Sequence, residues 1–224
     1  MSAPFESDIS GSNAGRPGRL PVAERVRPCA FDTSLPGPAG NRGRVSSVFG
    51  SVAGRVYEFP DGSIYQVIVS GRANGGTRSE VDVTLPPGAL TPPPHIHRKQ
   101  EESLAVMDGA VEALVGRQWR TVGSGESVTI PAGTIHTVRV RSDEIARLIM
   151  SHTPAMGFER YLERLYWLTA MNRIRGTRHL TSSLYGSLLL DAHRDDLVLA
   201  GPAARARVGM MARAAKLLRL RIDR

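Results

Sequence analysis

The sequence predicts a mainly β protein of the jelly-roll type, followed by an α-helical extension. Short strand patterns separated by turn residues recur between Arg55 and Ser151, and apolar residues take up helical spacing after Pro154. Many short strands at this rhythm are typical of two antiparallel sheets that pack face to face. A hydrophobic content of 41% in 224 residues is sufficient for a packed core.

The composition divides the chain into three parts. Residues 1–43 mix Gly, Pro, Ser and Arg without periodicity, which predicts a flexible N-terminal arm. Residues 44–155 carry the strand patterns and are predicted to form the barrel. Residues 156–224 are predicted to form a helical extension that packs on the barrel or on a dimer partner.

Strands are predicted where apolar and polar residues alternate. The clearest case is 80–85, in which Val81, Val83 and Leu85 share one face. The remaining predicted strands are 55–59, 64–70, 103–106, 110–115, 119–122, 127–130, 137–141 and 145–151.

Three helices are predicted in the extension, over 158–169, 182–194 and 204–220. The third has one apolar stripe and an opposite basic face, and we expect it to pack on the barrel or on a second subunit. The alternative is contact with an anionic membrane surface. The apolar stripe consists of Val208, Met211, Ala215, Leu218 and Ile222.

The charge and cysteine content limit the possible partners and compartments. The net charge is +8, and seven basic residues against one acidic residue lie in the segment 205–224. Because the excess lies in this tail, we predict no nucleic-acid partner. The single cysteine, Cys29, cannot form an internal disulfide, and no apolar run has the length of a membrane span. We therefore expect a cytoplasmic protein.

Four side chains in the middle of the chain suit one divalent transition metal ion. His95 and His97 are two residues apart, so a strand would point both to the same face. Glu102 follows after a short polar segment that allows the chain to bend, and His136 requires a closed fold to return. Three imidazoles and one carboxylate are a sufficient ligand set.

These residues fall within two motifs through which the sequence resembles the cupin superfamily. The resemblance covers roughly 56–151, and it implies a double-stranded β-helix barrel with a metal at the four ligands. The asparagine that often closes the second motif is Val140 here, and the interval from Gly88 to His95 is one residue longer than usual. The matching positions are Gly88, His95, His97, Glu102 and Gly109 in the first motif, and Gly125, Pro131, Gly133 and His136 in the second.

Strand alternation also predicts the lining of the pocket. Leu104 and Val106 share the face of Glu102, and Val138 and Val140 share the face of His136, so the lining is expected to be aliphatic. Adjacent strand residues point to opposite faces, so Glu101 and Glu102 cannot both reach the metal from a regular strand. The resemblance to the cupin superfamily selects Glu102, and Glu101 is expected to support a ligand ring nitrogen instead. The other polar candidates are Tyr65, Gln66 and Arg78.

The resemblance leads to three hypotheses about function. The first is an oxygenase that acts on a small apolar or aromatic substrate chelated to the metal through oxygen. Fe(II) is the preferred ion, with Mn, Ni, Zn or Cu as alternatives. The second is a non-redox isomerase, cyclase or lyase, and the third is a metal- or ligand-binding module without turnover. We also expect a homodimer, because exposed sheet edges often pair across a two-fold axis.

Overall fold

A computed structural model describes residues 54–140, 143–176 and 179–223. Two antiparallel sheets face each other, and three α-helices follow the tenth strand in the chain, with a short eleventh strand between the second and third helices. The predicted fold class, a mainly β jelly roll with a helical extension, is confirmed. The N-terminal arm expected for residues 1–43 lies outside the described residues.

The first sheet has six strands in the order β1-β2-β3-β10-β5-β8. All of its pairings are antiparallel. Its strands are β1 (Val56–Glu58), β2 (Ile64–Val69), β3 (Ser79–Leu85), β5 (Glu101–Asp108), β8 (Ser127–Ile130) and β10 (Ala146–Thr153).

The second sheet has five strands in the order β11-β4-β9-β6-β7, also antiparallel. The short outer strand β11 comes from the C-terminal segment, in which the sequence analysis expected only helices. The strands are β4 (His95–Ile96), β6 (Ala110–Val115), β7 (Gln118–Gly123), β9 (His136–Arg139) and β11 (Val198–Leu199).

The core lies between the sheets and follows the alternation of the strands. In β3 every second residue is buried, and Val81, Val83 and Leu85 all face inward, as predicted. Burying aliphatic side chains from both sheets is the main stabilising term, at about 1.5–3 kcal/mol for each large residue. Gly109 packs directly against the backbone of Ile145. A Cβ atom at position 109 would collide with the carbonyl oxygen of Ile145, so this close approach requires glycine.

The three helices are α1 (Phe158–Ala170), α2 (Leu180–Ala192) and α3 (Pro202–Leu217). Helix α1 inserts Phe158 and Leu162 into the core of the barrel. The start of α1 is also anchored, because the buried Glu159 carboxylate accepts hydrogen bonds from the Ser70 hydroxyl (2.9 Å) and the Gly71 amide (2.6 Å).

Helices α2 and α3 pack on each other at the end of the described chain. In α3, Ala212 and Ala215 are buried, whereas Leu218 is 63% exposed and lies just beyond the helix. The predicted apolar stripe is therefore wrong at Leu218 and Ile222, since the helix ends at Leu217 and both residues lie beyond it. Among the described residues, no helix is both long and apolar enough to cross a membrane.

Candidate metal centre

Four potential metal ligands meet between the two sheets, at one end of the barrel. His95 lies in β4 and His97 just after it, while Glu102 lies in β5 and His136 begins β9. His95 and His136 are direct cross-strand partners. One donor atom from each residue lies within 4.8 Å of the others, and all four residues are buried. The structure thus unites the four residues predicted from the sequence.

Backbone carbonyls orient three of the imidazole rings. The Nδ1 atom of His95 donates to the carbonyl of Pro93 (3.0 Å), and that of His136 donates to Thr134 (2.9 Å). The Nδ1 atom of His97 donates to the carbonyl of Asp196 (2.7 Å). A carbonyl can only accept, so Nδ1 carries a proton in each ring and Nε2 is left for a metal.

This arrangement places lone pairs face to face at the centre. A Glu102 carboxylate oxygen lies 2.9 Å from Nε2 of His136 and 3.2 Å from Nε2 of His97. In neutral rings these nitrogens have only lone pairs to present to the carboxylate, which is repulsive unless a proton or a metal cation lies between them. A divalent cation would satisfy the carboxylate and the three rings together, so the residues fit a metal.

Burial and the neighbouring groups shift the pKa values within the cluster. Burial, and then the nearby His136, lower the pKa of His95 to about 3, which keeps this ring neutral and able to bind a metal. Burial alone would raise the pKa of Glu102, but the neighbouring imidazoles, led by His136, stabilise the ionised carboxylate when they are protonated and hold its pKa well below the usual range. For His136, burial lowers the pKa, but the adjacent Glu102 carboxylate favours the protonated ring and raises it overall. The carboxylate is thus the fixed negative charge of the site.

A cavity of about 50 Å³ adjoins the four ligands. Leu104 and Val138 line it, as predicted. Val106 and Val140 do not line the cavity and instead lie in the barrel core. Each is two residues further along the chain from its metal ligand than Leu104 or Val138. The other lining residues are Pro92, Thr137, Met150, His152, Phe158, Tyr161 and Leu197. The expectation of a purely aliphatic lining is therefore corrected, since aromatic and polar groups also contribute.

His152, which was not among the residues predicted from the sequence, lies in β10 directly opposite Glu102. Its ring is 1% exposed, and its Nε2 is 3.6 Å from the Glu102 carboxylate, longer than a hydrogen bond. Burial lowers its pKa, although Glu102 acts in the opposite direction. Alternation could have found it: Leu148 and Met150 precede it at two-residue intervals, but the predicted strand ended at Ser151.

Residues after Pro154 form the second missed part of the site. Phe158 and Tyr161 of α1 and Leu197 of the loop after α2 line the cavity. Burial raises the pKa of Tyr161 to about 12, so its hydroxyl stays protonated. Helical spacing places Phe158 and Tyr161 on one face but does not indicate what that face covers.

Asp196 connects this segment to the metal ligands. Its backbone carbonyl accepts from His97, while its carboxylate accepts from the Gly157 amide and from His193 Nδ1, both at 2.8 Å. Arg164 donates to the other ring nitrogen of His193 (3.0 Å). We call Asp196, His193, Gly157 and Arg164 the Asp196 network. A backbone acceptor leaves no signal in a sequence, which explains why this support was missed.

The remaining polar candidates lie away from the centre. Glu101 is exposed on the outer face of β5, and backbone carbonyls occupy the ring nitrogens that it was expected to support. Gln66 and Arg78 are also exposed, and Arg78 pairs with Glu80 at 3.3 Å. Tyr65 packs against the core beside Phe59 and is absent from the cavity lining.

Fold and site together define a double-sheet β protein with a buried three-histidine, one-carboxylate group suited to a metal ion. Comparison with known families agrees with this class. Residues 81–152, which include all four candidate ligands and His152, match the cupin domain family. The chain therefore contains a cupin domain.

Solved structures provide further matches, among them three that each align to less than half of this chain. They include an RmlC-like cupin from Shewanella frigidimarina (18% identity, 47% of this chain and 87% of that one, TM-score 0.40). A sugar phosphate isomerase of the cupin superfamily from Silicibacter pomeroyi is 27% identical over 42% of this chain and 60% of that one, with a TM-score of 0.37. A predicted oxalate decarboxylase from Thermotoga maritima is 15% identical over 41% and 80%, with a TM-score of 0.39. No curated protein matched the chain.

Proposed function

We propose that the protein is a mononuclear metalloenzyme, and specifically an oxygenase that acts on a small oxygen-bearing substrate. The observation that supports this most strongly is the set of three inward Nε2 atoms and one carboxylate around a single buried point. Four protein ligands leave coordination positions open on a six-coordinate ion, as a catalytic metal requires.

The chain's own residues would hold the metal, exclude water and select the substrate. Among the described lining residues there is no Lys or Arg, so the pocket offers no cationic partner for a phosphate group. Leu104, Val138 and Leu197 supply apolar contacts. The cavity volume of about 50 Å³ is well below that of ordinary ligand pockets, which favours substrates of few heavy atoms over aromatic ones.

The proposed oxygenase chemistry depends on which metal is bound. When present, a redox-active divalent ion such as Fe(II) supplies one-electron chemistry, whereas Zn(II) acts only as a Lewis acid. The apolar lining supports the oxidative proposal because it leaves few protein groups to transfer protons. We therefore propose Fe(II) as the resident ion.

One observation favours a second candidate function, a non-redox isomerase, cyclase or lyase. His152 places an imidazole in the cavity, and an imidazole can exchange a proton with a substrate. An oxygenase does not need such a group, whereas proton transfer is central to isomerases and lyases. We propose this function as the alternative.

Metal analysis followed by turnover assays separates these functions. Elemental analysis of protein purified without added metal comes first, and then reconstitution of the apoprotein with Fe(II) or Zn(II). With small hydroxy acids and keto acids, the oxygenase proposal expects substrate-dependent dioxygen uptake by the Fe(II) protein alone. Equal turnover by the Zn(II) protein under argon would support the non-redox alternative instead.

The same experiment tests whether there is turnover at all. The control is the double variant His95→Ala, His136→Ala, which removes two of the four ligands. Absence of a copurifying metal, combined with unchanged binding of small ligands by this variant, would contradict both enzymatic proposals. Such a result would instead support the third hypothesis, a ligand-binding module without turnover.

A further inference from the structure

His152 has no hydrogen-bonding partner, although it is one of the most deeply buried polar residues. Neither ring nitrogen has a partner among the described residues. A buried polar group left unsatisfied costs about 1–3 kcal/mol, and nearly all such groups in folded proteins are bonded to something. The cavity that His152 lines is the place from which a partner can come.

The position of His152 argues against a role as a fifth metal ligand. It is not part of the group whose donor atoms lie within 4.8 Å of one another. Its Nε2 lies 3.6 Å from the Glu102 carboxylate, and its ring stacks on Phe158 with centroids 3.8 Å apart. Packing on Phe158 limits the rotation of the ring and holds it beside the ligand group rather than within it.

The charge of the site identifies the kind of molecule that fits there. One divalent cation with one carboxylate and three neutral imidazoles has a formal charge of +1. No Lys or Arg lies among the described lining residues, so a monoanion is sufficient to neutralise the site. The small cavity restricts that monoanion to a few heavy atoms.

From these observations we propose that His152 donates a hydrogen bond to a small oxygen-bearing monoanion, a carboxylate or an enolate, held at the metal centre. One oxygen of this monoanion would lie towards the four candidate ligands, and a second oxygen would accept a hydrogen bond from the His152 ring. This inference rests on the proposed metal-dependent function and specifies the substrate class of the same site. His152 is thus a substrate-contacting residue, and Phe158 sets the plane of its ring.

The test uses the full chain loaded with Co(II), whose visible absorption spectrum reports on ligand binding. Acetate, which has two oxygens, is compared with bromide, which has the same charge but only one atom. In His152→Phe, we expect acetate affinity to fall about 10-fold or more, because a hydrogen bond to a charged group is lost. Bromide affinity is expected to change less than about twofold, because a single-atom ion lacks the second oxygen that the His152 ring would contact.

Two further variants serve as controls. His152→Gln retains a donor and is expected to recover part of the acetate affinity. Ile149→Leu changes a residue of the same strand that does not line the cavity, and should leave acetate affinity within about twofold of wild type.

Thermal unfolding of the metal-free protein gives an independent readout. Because His152→Phe removes a buried polar group without a partner, we expect the unfolding midpoint to rise by about 2–4 °C. A role in stability alone predicts the opposite, a lower midpoint with unchanged acetate affinity, and that result would overturn the inference.

Failure of the inference and failure of the proposed function give different results. If His152→Phe binds Co(II) and acetate as tightly as wild type, the inference is wrong but the metal site stands. If the variant loses Co(II) affinity tenfold or more, His152 is a metal ligand and the inference is also wrong. If wild type takes up no Co(II), both the inference and the proposed function are overturned.

Discussion

The barrel and the C-terminal segment contribute to the candidate metal centre in different ways. The barrel supplies the four candidate ligands and His152. The segment after Pro154 supplies apolar side chains and one backbone carbonyl, that of Asp196. The barrel thus determines what the site can bind, and the segment determines how firmly one ligand is held and how well water is excluded.

The largest expected effect is a difference in metal affinity between substitutions of two adjacent barrel residues, Glu102 and Glu101. Glu102→Gln removes the only negative ligand, and we expect the affinity for Zn(II) or Co(II) to fall more than about 100-fold. Glu101→Gln changes the exposed neighbour and should leave the affinity unchanged. Competition with a chromophoric chelator measures both. Equal losses in the two variants would contradict the assignment of Glu102.

The next prediction concerns the segment rather than the barrel. Asp196→Ala loosens the loop whose carbonyl orients His97, so metal affinity is expected to fall about 10- to 100-fold. The matched control is Asp191→Ala, which removes only a surface ion pair with Lys216. If both variants bind metal like wild type, the segment merely covers the site.

Two glycine-to-alanine substitutions test how tightly the Asp196 network is packed. In Gly157→Ala the added methyl group would collide with the Asp196 carboxylate, and we expect a loss of about 1–3 kcal/mol in the free energy of unfolding. Gly186 lies within α2 and faces open space, so Gly186→Ala is expected to stabilise by about 0.5–1 kcal/mol. Urea unfolding of the apoprotein measures both, and similar effects at the two positions would argue against a tight contact at Gly157.

The smallest expected effect is a difference in acid sensitivity. Burial alone would raise the pKa of Asp196, but hydrogen bonds from His193 and the Gly157 amide bring it below its usual value. A lowered folded-state pKa stabilises the fold at pH values above the unfolded pKa of about 3.9, and the stabilisation is lost as the pH falls through the folded value. Wild type should therefore lose stability below about pH 4 more steeply than Asp196→Asn. The same pH dependence of stability in both proteins would show that the Asp196 charge does not stabilise the fold.

The sequence predicted the barrel half of this comparison better than the other. Alternating strands and the four candidate ligands follow from regular spacing and distinctive side chains, and the structure places them as expected. His152 was missed because its strand extends two residues beyond the predicted end. The Asp196 contact could not be predicted, since any residue has a carbonyl and only the three-dimensional path of the chain brings this one to His97. Strand β11 was missed for a related reason, as two residues are too few to show a period.

The central claim is that His95, His97, Glu102 and His136 bind one metal ion. Anomalous diffraction from crystals of the Zn(II)-loaded protein, recorded on either side of the zinc edge, tests it most directly. We predict a single peak about 2.0–2.2 Å from the three Nε2 atoms and from one carboxylate oxygen of Glu102. A zinc peak elsewhere in the molecule, or no peak among these four side chains at full zinc loading, would contradict it.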